Sequence, residues 1–444
     1  MIRSAVLAFV AALVAAGGAS AEVVARGVDD GLLALNTKGA PSVAFVRGST
    51  LVVARRSSKG RWSQAKAASV SPGSAVMAFE VGAAGPVLLV ENANSTKLRL
   101  VRRQSVGWQT VTLAAVRGVV RLGWPGLTLD ARGLPVVGFT RWNGSSLHSR
   151  LLLAVVDRKG RVRTRPITAE GFPDSFAPPP AEPVLVGGRV HVIESYGYKG
   201  VLGTFEWFPQ RGTWTGLGLD SGFGDFPLGP VLAGISPNGT LHAAWTELLS
   251  YFASTPVMLV DRGSVASSRF VLDRALTTAL ALPPTGPEIA ANEWVGPDDL
   301  GLASGDTLWA GTVVHGKSTI ELDGWIAGLA VAPQGGRDLL LGGPAGLRWF
   351  HARRAPVIHM SIEAVADGSS IELSGQVPGV AKGSVTIYRE RPGQPRHAIG
   401  HAPLNGGAFS FSDTPTSRPL VYRAVYVDPV SGIPYGALLR TPIT

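Results

Sequence analysis

Between about residue 28 and residue 354 the chain alternates short apolar runs with turns, and the runs return in one order. An apolar strand is followed by a turn with glycine, a second apolar strand, a third, and a fourth that often opens with Gly-x-Trp. The first copy reads LLALNTKG, APSVAFVRG, STLVVARRSSKG and RWSQAKA. Each piece is strand-sized, and Gly, Lys, Asn, Ser or Thr mark the joins. Helical 3.6-residue periodicity is scarce, which argues against a doubly wound α/β fold and predicts an all-β chain.

The glycine after strand one recurs at Gly39, Gly85, Gly133, Gly188, Gly239, Gly296 and Gly335, with gaps of 46, 48, 55, 51, 57 and 39 residues. Such gaps suit a four-stranded propeller blade, for which periods of about 40–50 are usual. After the glycines come PSVAF, PVLLV, PVVGF, VHVIE, LHAAW, DLGLA and DLLLG as second strands; the sixth copy is placed at about 286–323. The expected fold is therefore a β-propeller of about seven blades over residues 22–354. The last copy supplies only three strands, LAVAPQG, RDLLLG and AGLRWFHAR, while EVVARGV at 22–28 has no partner of its own. That segment is expected to add as the outer strand of blade seven and so join the two ends of the ring.

From about Pro356 the runs lengthen and alternate: VIHMSIEAV, SSIELSGQV, GSVTIYRE, GAFSFSD and LVYRAVYV, between turns rich in Gly, Pro and Asn. Seven or so short strands with turn signals predict a β-sandwich over 356–444. At the other end, Arg3, the apolar run Ala5–Ala16 and the triplet Ala19, Ser20, Ala21 have the form of a signal peptide over 1–21, with cleavage expected before Glu22. Its apolar run is too short for a membrane span, and no later stretch approaches the roughly 18–20 apolar residues that one needs. A secreted, extracellular protein without a membrane span is the expectation. Export permits disulfides, yet the chain has no cysteine. Thiolate zinc sites, iron–sulfur clusters and thiol nucleophiles are thereby excluded.

The pattern xLxLxxxGxPxVxF…LxxAR…GxW resembles the β-propeller repeats of bacterial secreted proteins related to sialidase-like propellers. Asp boxes of the form Ser-x-Asp-x-Gly-x-x-Trp are usual in sialidases. The corresponding turn here reads Ser57, Ser58, Lys59, Gly60, Arg61, Trp62, without the box aspartate. The run Tyr422–Tyr426 resembles strand F of bacterial immunoglobulin-like or fibronectin type III-like modules, which implies a spacer or attachment domain.

A net charge of +10 comes from 41 basic residues, 33 of them arginine. Arginines lie singly apart from the pairs 55–56, 102–103 and 353–354, so a solvated basic surface is the simpler reading, and no nucleic-acid partner is expected. A monomer without cofactors is expected.

Eight histidines show no metal-ligand spacing. His191 and His242 both fall three residues after the repeat glycine, a position that serves packing. Trp62, Trp108 and Trp214 open fourth strands, where an indole covers the junction between blades. Ser63 and Lys66 fit Ser-x-x-Lys, but that chemistry needs a helix turn and they lie on an expected strand. The run 216–222 is a poor nucleotide loop, since no helix follows it.

Loops after strand two and between blades remain as the candidate site. They offer Arg47, Asn92, Arg141, Trp142, Tyr196, Tyr198, Glu247, Tyr251 and Phe252. Two long connections add Phe172, Asp174 and Phe176 at about 166–182, and Phe223, Asp225 and Phe226 at about 217–230. Flat aromatic faces beside arginine and carboxylates suit a glycan or a protein ligand. With no catalytic motif, binding or scaffolding is the leading reading. The alternative is a glycan-active hydrolase or lyase, with Glu247 or Asp225 and Tyr196 as acid and base and Arg141 assisting.

Overall fold

The computed structural model describes residues 21–167, 180–186, 188–198, 201–208, 213–216, 226–248, 257–261, 269–272, 275–295, 308–315, 318–343, 345–353, 358–390, 396–415 and 421–439. The signal-peptide residues before Ala21 lie outside this set. Strand is the regular element throughout, and the described residues hold no helix, so none is long and apolar enough to cross a membrane.

Strand β1 (Glu22–Ala25) comes first. Six antiparallel units then follow in chain order. The first holds β2 (Leu32–Leu35), β3 (Pro41–Arg47), β4 (Thr50–Arg56) and β5 (Trp62–Ser69). The second holds β6 (Ala75–Gly82), β7 (Gly85–Glu91), β8 (Lys97–Arg103) and β9 (Trp108–Ala115). In the third, β10 (Val120–Leu122) and β11 (Gly126–Leu129) both pair β12 (Pro135–Asn143), which continues to β13 (His148–Val156) and β14 (Val162–Pro166). The fourth holds β15 (Ala181–Val186), β16 (Arg189–Tyr198), β17 (Val201–Phe208) and β18 (Thr213–Gly216). The fifth holds β19 (Phe226–Ile235), β20 (Leu241–Leu248), β21 (Val257–Asp261) and β22 (Arg269–Leu272). The sixth holds β23 (Ala275–Ala281), β24 (Glu288–Val295), β25 (Leu308–His315) and β26 (Ser318–Leu322).

A seventh unit has only β27 (Trp325–Val331), β28 (Arg337–Gly342) and β29 (Leu347–Ala352) from its own stretch of chain. Its outer strand is β1, which pairs β29 with Glu22 opposite Trp349, as the unpartnered EVVARGV led us to expect. The innermost strands touch in cyclic order, β2 to β6, β6 to β11, β11 to β15, β15 to β19, β19 to β23, β23 to β27, and β27 back to β2. This is a propeller-like ring of sheets, held together by side-chain packing between neighbours rather than by one closed ladder.

Each junction has its own apolar core. Units seven and one share Val24, Val43, Phe45, Leu340 and Trp349; units one and two share Ala34, Leu51, Phe79, Leu88 and Val101. A fully buried Val, Leu or Phe contributes roughly 1.5–3 kcal/mol, so many small junctions replace one large core. Trp62 and Trp108 pack against these two clusters, in the covering position expected of them. His191 and His242 are buried, and His242 Nε2 meets Ser236 Oγ at 3.1 Å. Ser63 and Lys66 sit exposed on β5, so no acylating pair is formed.

The repeat glycine has a conformational cause. Gly39, Gly133, Gly239, Gly286 and Gly335 have φ of 76°, 72°, 83°, 114° and 89°. Each donates its N–H to a carbonyl three residues earlier, closing the first turn of its unit. Only glycine takes that left-handed position without a steric cost. The same observation corrects the sixth copy. Its first turn carries Gly286, not Gly296, its second strand is EIAANEWV rather than the DLGLA segment, and the unit begins at Ala275 rather than near 286. Acidic and amide residues inside β24 concealed it.

The C-terminal part forms two facing sheets. One contains β30 (Ser361–Asp367), β31 (Ser370–Gln376) and β34 (Ala408–Asp413); the other contains β32 (Ser384–Glu390), β33 (His397–Pro403), β35 (Val421–Val427) and β36 (Pro434–Leu438). Ile371, Leu373 and Phe409 from the first sheet share a core with Val385, Ile387, Tyr422 and Tyr426 from the second. The second sheet also continues the sixth unit, because Leu322 of β26 pairs Tyr435 of β36 and the Asp323 N–H donates to the Pro434 carbonyl at 2.8 Å. Arg423, 3% exposed, stands at this seam, bonded to Glu390 at 2.6 Å and 3.7 Å from Glu321. Arg396 bridges Asp323 and lies 4.2 Å from the ring centre of Tyr388.

Candidate functional site

Within the first, second and third units the chain climbs on the second strand and turns at one face of the ring. Arg47 ends β3 and Asn92 follows β7 at that face. Arg141 and Trp142 end β12; Arg141 is exposed, Trp142 half-buried, and they pair with Arg150 and Ser149 across β13. A Cβ on Gly144 would stand 3.1 Å from the Trp142 ring, so the indole lies over the turn. Tyr196 and Tyr198 close β16, opposite Gly203 and Val201, and Glu247 lies near the end of β20 opposite Pro227, next to Phe226 opposite Leu248. Tyr196, Tyr198, Glu247 and Phe226 are placed by backbone alone. The ends of the second strands of three consecutive units thus carry Arg141, Trp142, Tyr196, Tyr198 and Glu247. Phe172, Asp174, Phe176, Phe223, Asp225, Tyr251 and Phe252 lie outside the described residues.

The opposite face carries a cleft that no linear motif announces, at the junction of units seven and one. It has a volume of about 570 Å³ and is lined by Glu22, Arg56, Asp338, Trp349 and His351, among others. The closing strand brings Glu22 against the end of β4, where Arg56 donates from Nε and Nη2 to the carboxylate at 2.8 and 2.6 Å. The Glu22 hydrogen bond is the main reason that the Arg56 pKa is raised. Its guanidinium carbon stands 4.6 Å from the centre of the Trp349 ring, a cation–π arrangement. Trp62 meets the same indole edge-on at 5.9 Å.

Asp338 and His351 are cross-strand partners on β28 and β29, with Oδ1 and Nδ1 3.2 Å apart. Burial pushes the Asp338 carboxyl above the ordinary aspartate range, and the charge of His351 only partly pulls it back. Sequence reasoning missed this cleft because its residues come from the two ends of the ring. The signal available was Glu22, the one acid in a strand without a partner of its own.

A third feature lies on the inner strands. Glu80 of β6 and Glu182 of β15 are ringed by protein; burial lifts Glu80 to about 7 and Glu182 well above the ordinary value, with the charge of Glu80 adding to the second shift. Gly126 of β11 makes room for Glu182, since a Cβ there would fall 2.0 Å from Glu182 Oε2 and 2.6 Å from the Ala181 carbonyl. Among the described residues, no group of three or more His, Cys, Asp or Glu is placed to hold a metal ion.

No protein-family model and no curated protein matches the chain. Solved structures similar to it include an acylaminoacyl peptidase of Pyrococcus horikoshii (9% identity, 80% of this chain and 59% of that one, TM-score 0.44). Others are the Dos1 propeller (10%, 78% and 97%, TM-score 0.41) and AofleA from Arthrobotrys oligospora (11%, 78% and 90%, TM-score 0.38). The chain spans 59% of the length of the peptidase.

Proposed function

We propose that the protein is a secreted, seven-bladed β-propeller joined to an immunoglobulin-like or fibronectin type III-like β-sandwich. It serves as a non-catalytic binding or scaffold protein that takes a glycan or protein partner on the face where the second strands end. One observation carries this reading: three consecutive units present Arg141 and Trp142, Tyr196 and Tyr198, and Glu247 at the ends of equivalent strands. An arc of mixed aromatic, basic and acidic residues on a rigid ring is suited to an extended ligand. Binding also accords with a chain that carries no catalytic motif, and fold alone does not assign an activity. The sandwich, continuous with the sixth unit, acts as a rigid spacer.

The test is binding of the chain from Glu22 onward to an array of acidic and neutral glycans at low and at physiological salt. Retention of one structure at physiological salt, lost in Trp142→Ala, supports the rim. Binding that fades with salt and is indifferent to Trp142→Ala refutes it. Turnover of a glycan that disappears in Glu247→Gln would transfer the assignment to a hydrolase or lyase.

A further inference from the structure

A cavity of about 480 Å³ opens among the innermost strands, on the face where the first turns of the units lie. Pro237, Pro284 and Pro333 line its mouth, each second in a turn that closes on the repeat glycine. Proline fixes φ at that position, so the mouth is rigid without a ligand. The walls below it are innermost strands of the first, second, fifth, sixth and seventh units. Leu33, Leu35, Leu280 and Val331 are half-buried there, aliphatic side chains that the packing between units leaves partly uncovered. The volume falls within the roughly 300–1,000 Å³ of small-molecule sites.

Among the residues lining this cavity, Glu80 is the one that carries a charge. It stands two residues inside the end of β6 and is half-buried. Its carboxyl takes no hydrogen bond and has no basic neighbour, and burial alone raises its pKa. Glu182 reaches across the bare backbone of Gly126, equally half-buried and without a hydrogen bond, and the charge that it feels is that of Glu80. Acids taken out of water are normally paired or hydrogen-bonded. Here two of them share one surrounding and the protein supplies no cation to either.

The missing partner is therefore positive, and the walls say what carries the charge. A metal ion gains nothing from aliphatic side chains, and no third acid joins the pair among the described residues. A guanidinium brings five donors, whereas an ammonium brings three and sits at the end of an apolar stem. Strands β2, β6, β19, β23 and β27 are each the last strand of their sheet on this side, so backbone carbonyls on their unpaired edges can accept the protons that Glu80 does not.

We propose that the central cavity binds a small aliphatic primary amine, with its ammonium on Glu80 and its chain against Leu33, Leu35, Leu280 and Val331. The site is separate from the rim and does not depend on the rim having a ligand.

The experiment is calorimetric titration of the chain from Glu22 onward at pH 8, above the titration of Glu80 at about 7. The ligands are propylamine, butylamine, pentylamine and hexylamine, with hexanol and hexanoate as counterparts of the same chain length. The amines are expected to bind with affinity rising about fourfold per methylene, and hexanol and hexanoate at least tenfold more weakly than hexylamine. Glu80→Gln keeps the shape, removes the charge and is expected to weaken hexylamine at least tenfold. Leu35→Lys supplies an ammonium from the protein itself and is expected to abolish amine binding, which decides the matter if the Glu80 variant does not fold. Trp142→Ala is expected to leave amine binding unchanged, so failure of the rim and failure of the cavity are read separately. The proposal is overturned if no amine binds, if hexanol or hexanoate binds as tightly as hexylamine, or if wild-type affinity persists in Glu80→Gln or Leu35→Lys.

Discussion

Glu22 and Arg56 are joined by two hydrogen bonds, of 2.6 and 2.8 Å, although one belongs to the seventh unit and the other to the first. The pair therefore straddles the seam of the ring. Both side chains are about one-quarter exposed, which discounts the Coulombic gain but preserves the bidentate geometry. Arg56→Ala is expected to cost about 1–2 kcal/mol through the lost pair and the lost cover over Trp349. Arg56→Lys should recover less than half of it, since an ammonium cannot make the forked contact. Urea midpoints of the three proteins check this.

Arg423 faces Glu390 and Glu321 where the two parts of the chain meet, and these acids raise its pKa above the ordinary arginine value despite burial. Removing one member of a buried pair leaves the other uncompensated, at a cost of about 3–5 kcal/mol. Arg423→Ala is expected to lose that much. Arg423→Ala combined with Glu390→Gln should be closer to wild type than the single variant, which a double-mutant cycle reads directly.

Glu80 gives the chain a predictable pH dependence. Its proton is held more tightly in the folded state, where the carboxyl titrates at about 7, than in the unfolded chain at 4.5. The stabilising contribution is thus complete below about pH 4.5 and is lost as the pH rises through 7. Glu80→Gln is expected to be more stable than wild type at pH 8 and to flatten the decline between pH 5 and 8. Parallel stability curves for the two proteins would refute the assignment.

Gly126 tolerates no side chain, because the added carbon would meet the backbone carbonyl of Ala181 at 2.6 Å. Gly126→Ala is expected to cost about 1–3 kcal/mol, with the third and fourth units forced apart. Thermal unfolding measures the loss, and an unchanged midpoint would show that Ala181 yields freely.

The ring was legible because its glycines obey a backbone requirement. A positive φ in the first turn of each unit leaves a mark that survives every change of side chain. The sixth unit was misplaced for the same reason, since Gly296 sits at a plausible interval and Gly286 is the residue that turns. Trp62 and Trp108 could be assigned to junctions from their place in the repeat. The cleft could not, because Glu22, Arg56, Asp338 and His351 have no common spacing and meet only through closure. Gly126 gave no hint of Glu182 either, since their approach depends on how neighbouring sheets lean together.

Glu22 pairs with Trp349, more than 300 positions away. Contacts so distant in sequence are made late in folding, after the loop-closure entropy of the intervening chain has been overcome. During synthesis the first strand is therefore available long before its partner exists, and every intermediate is an open arc with an unpaired β29 edge or none at all. Completion of the ring is in effect a timer: the chain stays pliable until its last sheet has emerged, and then a single short strand locks it.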